Sequence, residues 1–166
     1  VVGTVMSNFG LERALEERNI PFCRASVGDR YVLEKLKMQG WQLGGESSGH
    51  ILCLDLATTG DAIVAALQAL VPMVESGLSL TELKRGMTKL PQVMINVRTE
   101  DPRARAACAD LRDASDRATA RLAGRGRVLI RPSGTEPVIR VMVEGDSEGE
   151  VRSIAEELAA CAATVR

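Results

Sequence analysis

The sequence predicts an α/β protein in two parts: a mixed-sheet α/β domain over residues 1–88 and a smaller α+β domain over residues 89–166. Three observations predict it. Short apolar runs alternate with helix-period stretches through the first half, the breaker Lys89-Leu90-Pro91 interrupts that pattern, and the remainder reads β-α-β-β-α. A chain of 166 residues with 45% hydrophobic and 26% charged side chains is close to the globular average and suits one ordinary domain or two small ones.

Residues 1–6 read as a strand, 8–18 as a helix carrying Leu11 and Leu15, and 21–25 as a second short strand. A helix over residues 30–39 is expected to turn Tyr31, Leu33, Leu36 and Met38 largely inward. A hairpin follows, with residues 41–43 and 51–54 as its arms and Gly44-Gly45-Glu46-Ser47-Ser48-Gly49-His50 as its loop. Thr59 is placed to cap a long helix over residues 61–75, where Asp61 complements the dipole. Its apolar run, residues 62–74, is interrupted by Gln68 and Pro72 and falls short of the roughly 20 residues of a membrane span, so it reads as a core helix. Ser79, with Glu82 at capping-box spacing, opens a short helix over residues 79–86. Beyond the break come a strand over 92–98, a helix over 102–122, two strands around Arg131 to Arg140, and a helix over 149–163.

A net charge of -1 and an aromatic content of 2% argue against nucleic acid as partner and favour a small ligand. The four cysteines, Cys23, Cys53, Cys108 and Cys161, form no CxxC pair and mostly sit among apolar neighbours, as buried thiols in a reducing, cytoplasmic compartment would. No leader or membrane segment is expected. The chain opens on Val1 inside a strand-like run, which suggests a piece of a longer protein.

The link Pro132-Ser133-Gly134-Thr135-Glu136-Pro137 joins two strand-like runs and is stiffened by a proline at each end. Gly134 is expected to take a positive φ and to let a ligand approach the backbone, while Ser133, Thr135 and free amides supply donors for an anion. Alternation puts Val128, Ile130, Ile139, Val141 and Val143 on one face and Arg131 with Arg140 on the other. Two guanidiniums then converge where each charge-assisted hydrogen bond to phosphate contributes on the order of 1.5 to 3 kcal/mol. Glu136 is the discordant charge, and the same residues also make an ordinary hairpin turn.

Glu46, between glycines and serines, offers a carboxylate able to accept from two neighbouring hydroxyls, as a sugar presents, with Ser47 and Ser48 to add contacts. A solvated loop glutamate fits equally well. His50 is the single histidine, too few for a triad or a His-based metal cluster, and suits a structural role or a ligand contact. In the turn Gly28-Asp29-Arg30, Asp29 is expected to cap the following helix and Arg30 to face either solvent or the ligand cleft.

Three ordered motifs, VGDRYV at residues 27–32, GGESSGH at 44–50 and RPSGTEPVIRVMVEG at 131–145, resemble the α-D-phosphohexomutases over essentially the whole chain. The GDRYV turn and the small Ser47, where phosphomannomutases usually carry methionine, resemble the glucosamine branch. The resemblance implies that residues 1–88 form the family's third domain and residues 89–166 its phosphate-binding fourth domain. It further implies that Glu46 and Ser48 read sugar hydroxyls and that Arg131, Ser133, Gly134, Thr135 and Arg140 hold the substrate phosphate.

The implied reaction interconverts glucosamine 6-phosphate and glucosamine 1-phosphate through a phosphoserine and a glucosamine 1,6-bisphosphate that flips between its two half-reactions. The loop at 131–140 would hold whichever phosphate is not reacting. The family's catalytic serine and Mg²⁺-binding aspartate loop lie in its first two domains and have no match here, so no catalytic residue or metal ligand is expected in this chain and the chain alone is expected to be inactive. Implied partners are a sugar phosphate and the N-terminal domains of the same polypeptide, with homodimerisation left open and no nucleic acid or membrane. The competing readings are a mutase of mannose or glucose phosphates and a non-catalytic sugar-phosphate-binding module.

Overall fold

A four-stranded sheet organises Val1–Lys89 and a three-stranded sheet organises Leu90–Arg166, the two compact units of the chain. The computed structural model describes residues 1–164.

In the first unit the elements run β1 (Val2–Thr4), α1 (Phe9–Glu16), β2 (Cys23–Ala25), α2 (Asp29–Gln39), β3 (Leu43–Gly45) and β4 (Ile51–Cys53). The sheet order is β2-β1-β3-β4, with β1 parallel to β2 and β3, and β4 antiparallel to β3. Parallel neighbours need a crossover, which α1 supplies between β1 and β2. Asn8 starts α1 by accepting from the Gly10 amide, and Gly40 in the left-handed region ends α2.

Val2, Ala25, Val32, Leu36 and Leu52 form the core of this unit. The inward face of α2 is therefore Val32 and Leu36, whereas Tyr31 and Met38 are 45% and 71% exposed. Leu36 is buried and Leu33 packs against the core as expected. Tyr31 and Met38 depart from the expected face because, seven residues apart, they share a side of the helix that lies about 100° or more round from the Val32–Leu36 stripe.

The long helix α3 spans Ala62–Ser76 and is capped by Asp61, whose carboxylate accepts from the Ile63 and Val64 amides, in place of Thr59. None of its residues is buried, and Ile63 and Val74 are 74% and 83% exposed. The expectation of a core helix is thus overturned: α2 fills the core side of the sheet, and α3 touches β4 yet leaves Ile63, Leu67, Leu70, Val71 and Val74 exposed within its unit. The short helix α4 (Leu80–Leu83) carries the full Ser79–Glu82 capping box and runs into a 3-10 turn, Lys84–Gly86. No single helix among the described residues is long and apolar enough to cross a membrane.

The second unit runs β5 (Gln92–Arg98), α5 (Pro102–Ala106), α6 (Ala109–Leu122), β6 (Gly126–Pro132), β7 (Val138–Gly145) and α7 (Glu148–Ala163). Its sheet is antiparallel with β7 central, in the order β5-β7-β6. Ile139, Val141 and Val143 of β7 pack with Val151, Ile154, Ala155 and Leu158 of α7 and with Leu111 and Leu122 of α6. Burial at this level contributes about 1.5 to 3 kcal/mol for each large aliphatic side chain.

The single helix expected over residues 102–122 is two helices, because Cys108 is extended (φ -64°, ψ 142°) and starts α6 afresh. Arg105 fastens the break. Its guanidinium binds both carboxylate oxygens of Asp110, at 2.9 and 3.0 Å, and the Ala162 and Cys161 carbonyls of α7.

Candidate functional site: an arginine pair at a hairpin tip and a glutamate loop

In the β6–β7 ladder Arg131 stands directly opposite Arg140, while Val128, Ile130, Ile139, Val141 and Val143 take the core face. Alternation along two regular strands places them so. The Nε atoms of both arginines are buried and have no hydrogen-bond acceptor among the described residues. Arg140 Nη2 reaches the Glu136 carboxylate at 3.0 Å, whereas Arg131 meets no described carboxylate. Burial, and then the like charge of Arg140, holds the Arg131 guanidinium below its ordinary pKa.

The turn between the strands is held by Ser133 N donating to Val138 O at 2.9 Å and Val138 N donating to Glu136 O at 2.8 Å. The Thr135 and Glu136 amides, expected to be free, point at Ser133 Oγ from 3.5 and 3.3 Å, long contacts that an incoming acceptor would outcompete. Gly134 does not take the expected positive φ, and a Cβ there would meet open space. The backbone conformation therefore does not require glycine at 134. The approach to the loop is clear on that side.

Two buried donors without acceptors, on like charges facing one another, form an arrangement that is unfavourable when empty and favourable around an anion. Phosphate oxygens satisfy Nε–H groups with charge-assisted bonds.

In the first unit, Glu46 Oε1 accepts from the Gly28 amide at 2.8 Å and thereby ties the glutamate loop to the turn that starts α2. Gly28 has φ 124°, a conformation that disfavours any side chain, and its amide lies at the positive end of the helix dipole. Glu46 is half-buried, while Ser47 and Ser48 are exposed. The loop closes on itself through Glu46 N to His50 O and Gly49 N to Glu46 O.

His50 Nε2 lies 3.9 Å from Asp29 Oδ2, and the imidazole rests on Gly60, where a Cβ would come within 1.8 Å of Nε2. Asp29 does not cap α2 as expected. Gly28 occupies the N-cap position without a side-chain bond, and Asp29 is the first helical residue, accepting from its neighbour Arg30 N at 2.7 Å. Arg30 is exposed, with its guanidinium 5.9 Å from the centroid of the Tyr31 ring. The unit thus brings Gly28, Asp29, Glu46 and His50 together, and sequence reasoning missed Gly60, whose close approach to His50 depends on a fold-level contact.

Among the described residues no group of three or more His, Cys, Asp or Glu side chains could hold a metal ion. All four cysteines are free, but only Cys53 is buried, a partial correction to the expectation of buried thiols.

The family model described as "Phosphoglucomutase/phosphomannomutase, alpha/beta/alpha domain III" matches residues 1–90, and that described as "Phosphoglucomutase/phosphomannomutase, C-terminal domain" matches residues 94–160. The phosphoglucosamine mutase of Pseudomonas syringae pv. tomato is 55% identical over 169 residues, covering 99% of this chain and 37% of that protein. The chain is therefore little more than a third of the length of the curated relatives it matches. The fold is shared with Aspergillus fumigatus N-acetylphosphoglucosamine mutase solved with GlcNAc-6P and magnesium, at a TM-score of 0.80 and 20% identity over 96% of this chain and 40% of that one. The S69A form of that enzyme, solved with glucose 1,6-bisphosphate, gives a TM-score of 0.80 and 21% identity over 99% of this chain and 38% of that one. The chain belongs to the phosphoglucomutase/phosphomannomutase family, of which it carries the third and C-terminal domains.

Proposed function

We propose that this chain is the substrate-binding C-terminal portion of a phosphoglucosamine mutase, which interconverts glucosamine 6-phosphate and glucosamine 1-phosphate through glucosamine 1,6-bisphosphate, in the cytoplasm, for UDP-N-acetylglucosamine and cell-wall synthesis. The observation that carries the reading is the Arg131–Arg140 pair with its two buried Nε donors lacking acceptors. In this reading the pair, with Ser133, Gly134 and Thr135, holds the phosphate that is not reacting, and Glu46 with Ser47, Ser48 and His50 reads the sugar. Resemblance at 55% identity to a named phosphoglucosamine mutase supports the glucosamine branch.

The phosphoserine and the Mg²⁺ site come from the domains that precede the third in the same polypeptide. Those domains also account for α3, whose uncovered apolar side is the surface on which we place them, since the relatives are more than twice as long as this chain. In a full-length mutase carrying this half, Arg131→Ala is expected to weaken glucosamine 6-phosphate binding by about 1.5 to 3 kcal/mol. An affinity by calorimetry equal to that of the parent enzyme refutes the assignment, and equal turnover of mannose 6-phosphate refutes the branch.

A further inference from the structure

The carboxylate beside the arginine pair is the discordant feature of the loop. Like charges directly opposite across an antiparallel pair are destabilising, and Arg131 and Arg140 are such a pair. Glu136 relieves half of this, with Oε2 at 3.0 Å from Arg140 Nη2, and leaves Arg131 without a carboxylate among the described residues. It does not satisfy either Nε, since both remain without acceptors. The backbone of Glu136 is anchored by its carbonyl, which accepts from Val138 N at 2.8 Å, but its side chain is 57% exposed and free to swing into water.

We propose that Glu136 is the resident counter-ion of Arg140, displaced when phosphate enters, and that this displacement makes the loop selective for a doubly charged oxyanion. The proposal rests on the reading of the loop as a phosphate site. A dianion with three free oxygens can engage both guanidiniums at once, which the Glu136 carboxylate, paired with Arg140 alone, does not. A small monoanion such as chloride offers Arg140 no more than Glu136 already offers, and it competes against a tethered carboxylate whose local concentration is on the order of millimolar or above. Glu136 thus lowers absolute affinity and raises discrimination, which is how a repulsive element creates specificity.

The test is calorimetric titration of inorganic phosphate into the 166-residue chain at fixed ionic strength, with chloride or with gluconate as the background anion. Glu136→Gln should bind phosphate about three- to fivefold more tightly than the parent chain in gluconate, the scale of one half-exposed ion pair. It should also become sensitive to chloride, to which the parent is indifferent. Glu136→Asp, which keeps the charge but draws it back from Arg140, should fall between the two. If the parent binds phosphate, Arg131→Ala does not, and Glu136→Gln binds no more tightly than the parent, the counter-ion role is overturned while the phosphate site stands. If the parent chain and Glu136→Gln both fail to bind, or Arg131→Ala binds as the parent does, the phosphate reading itself falls and this inference with it.

Discussion

Two arginines of one strand, four residues apart and on the same face, carry opposite roles. Arg127 lies across from Glu144, which is fully buried and bound at 2.7 Å, so the charge pair is closed within the fold. Arg131 lies across from Arg140 and is left open. Arg127→Met takes an ion partner from the fully buried Glu144 and should lower the denaturant midpoint of the second unit. Arg131→Ala removes a desolvated like charge instead, and its unfolding midpoint should be equal to or above that of the parent chain. A clear stability loss there would assign Arg131 a structural role. The contrast was legible in the sequence only in part: strand alternation gave the shared face of Arg131 and Arg140, but the pairing of Arg127 with Glu144 depends on a cross-strand register that no local pattern reports.

At the scale of elements, periodicity located β5 and the core face of β6 and β7, because regular strands buried on one side print their period directly on the sequence. It failed where tertiary contacts decide. The break at Cys108 is fastened by Arg105 reaching α7 more than fifty residues away, and nothing between residues 102 and 122 announces it. The glutamate loop was readable as a loop, yet its bond to Gly28 and the seat of His50 on Gly60 are contacts between distant segments. The cap of α3 is a local device, misassigned by two residues: Asp61 accepts from two first-turn amides. Asp61→Ala should therefore cost about 0.5 to 2 kcal/mol, read as lost helical ellipticity or a lowered unfolding midpoint, and Thr59→Ala should cost far less.

For the whole molecule, the family membership and the length of the relatives set the expectation. The chain covers 37% of a phosphoglucosamine mutase, and in the proposed function it recognises the substrate while phosphoryl transfer falls to the rest of the polypeptide. The isolated chain should show no mutase turnover and should take up no phosphate covalently from glucosamine 1,6-bisphosphate. Incorporation detected by mass spectrometry would place a nucleophile in this half. The central claim, that Arg131 and Arg140 together hold a phosphate, is tested most directly by NMR of the arginine Nε–H groups during a phosphate titration. These two resonances, assigned by single substitution, should shift downfield together and saturate at one common affinity while that of Arg127 stays fixed. Shifts spread evenly over the exposed arginines, or none at Arg131 and Arg140, would contradict it.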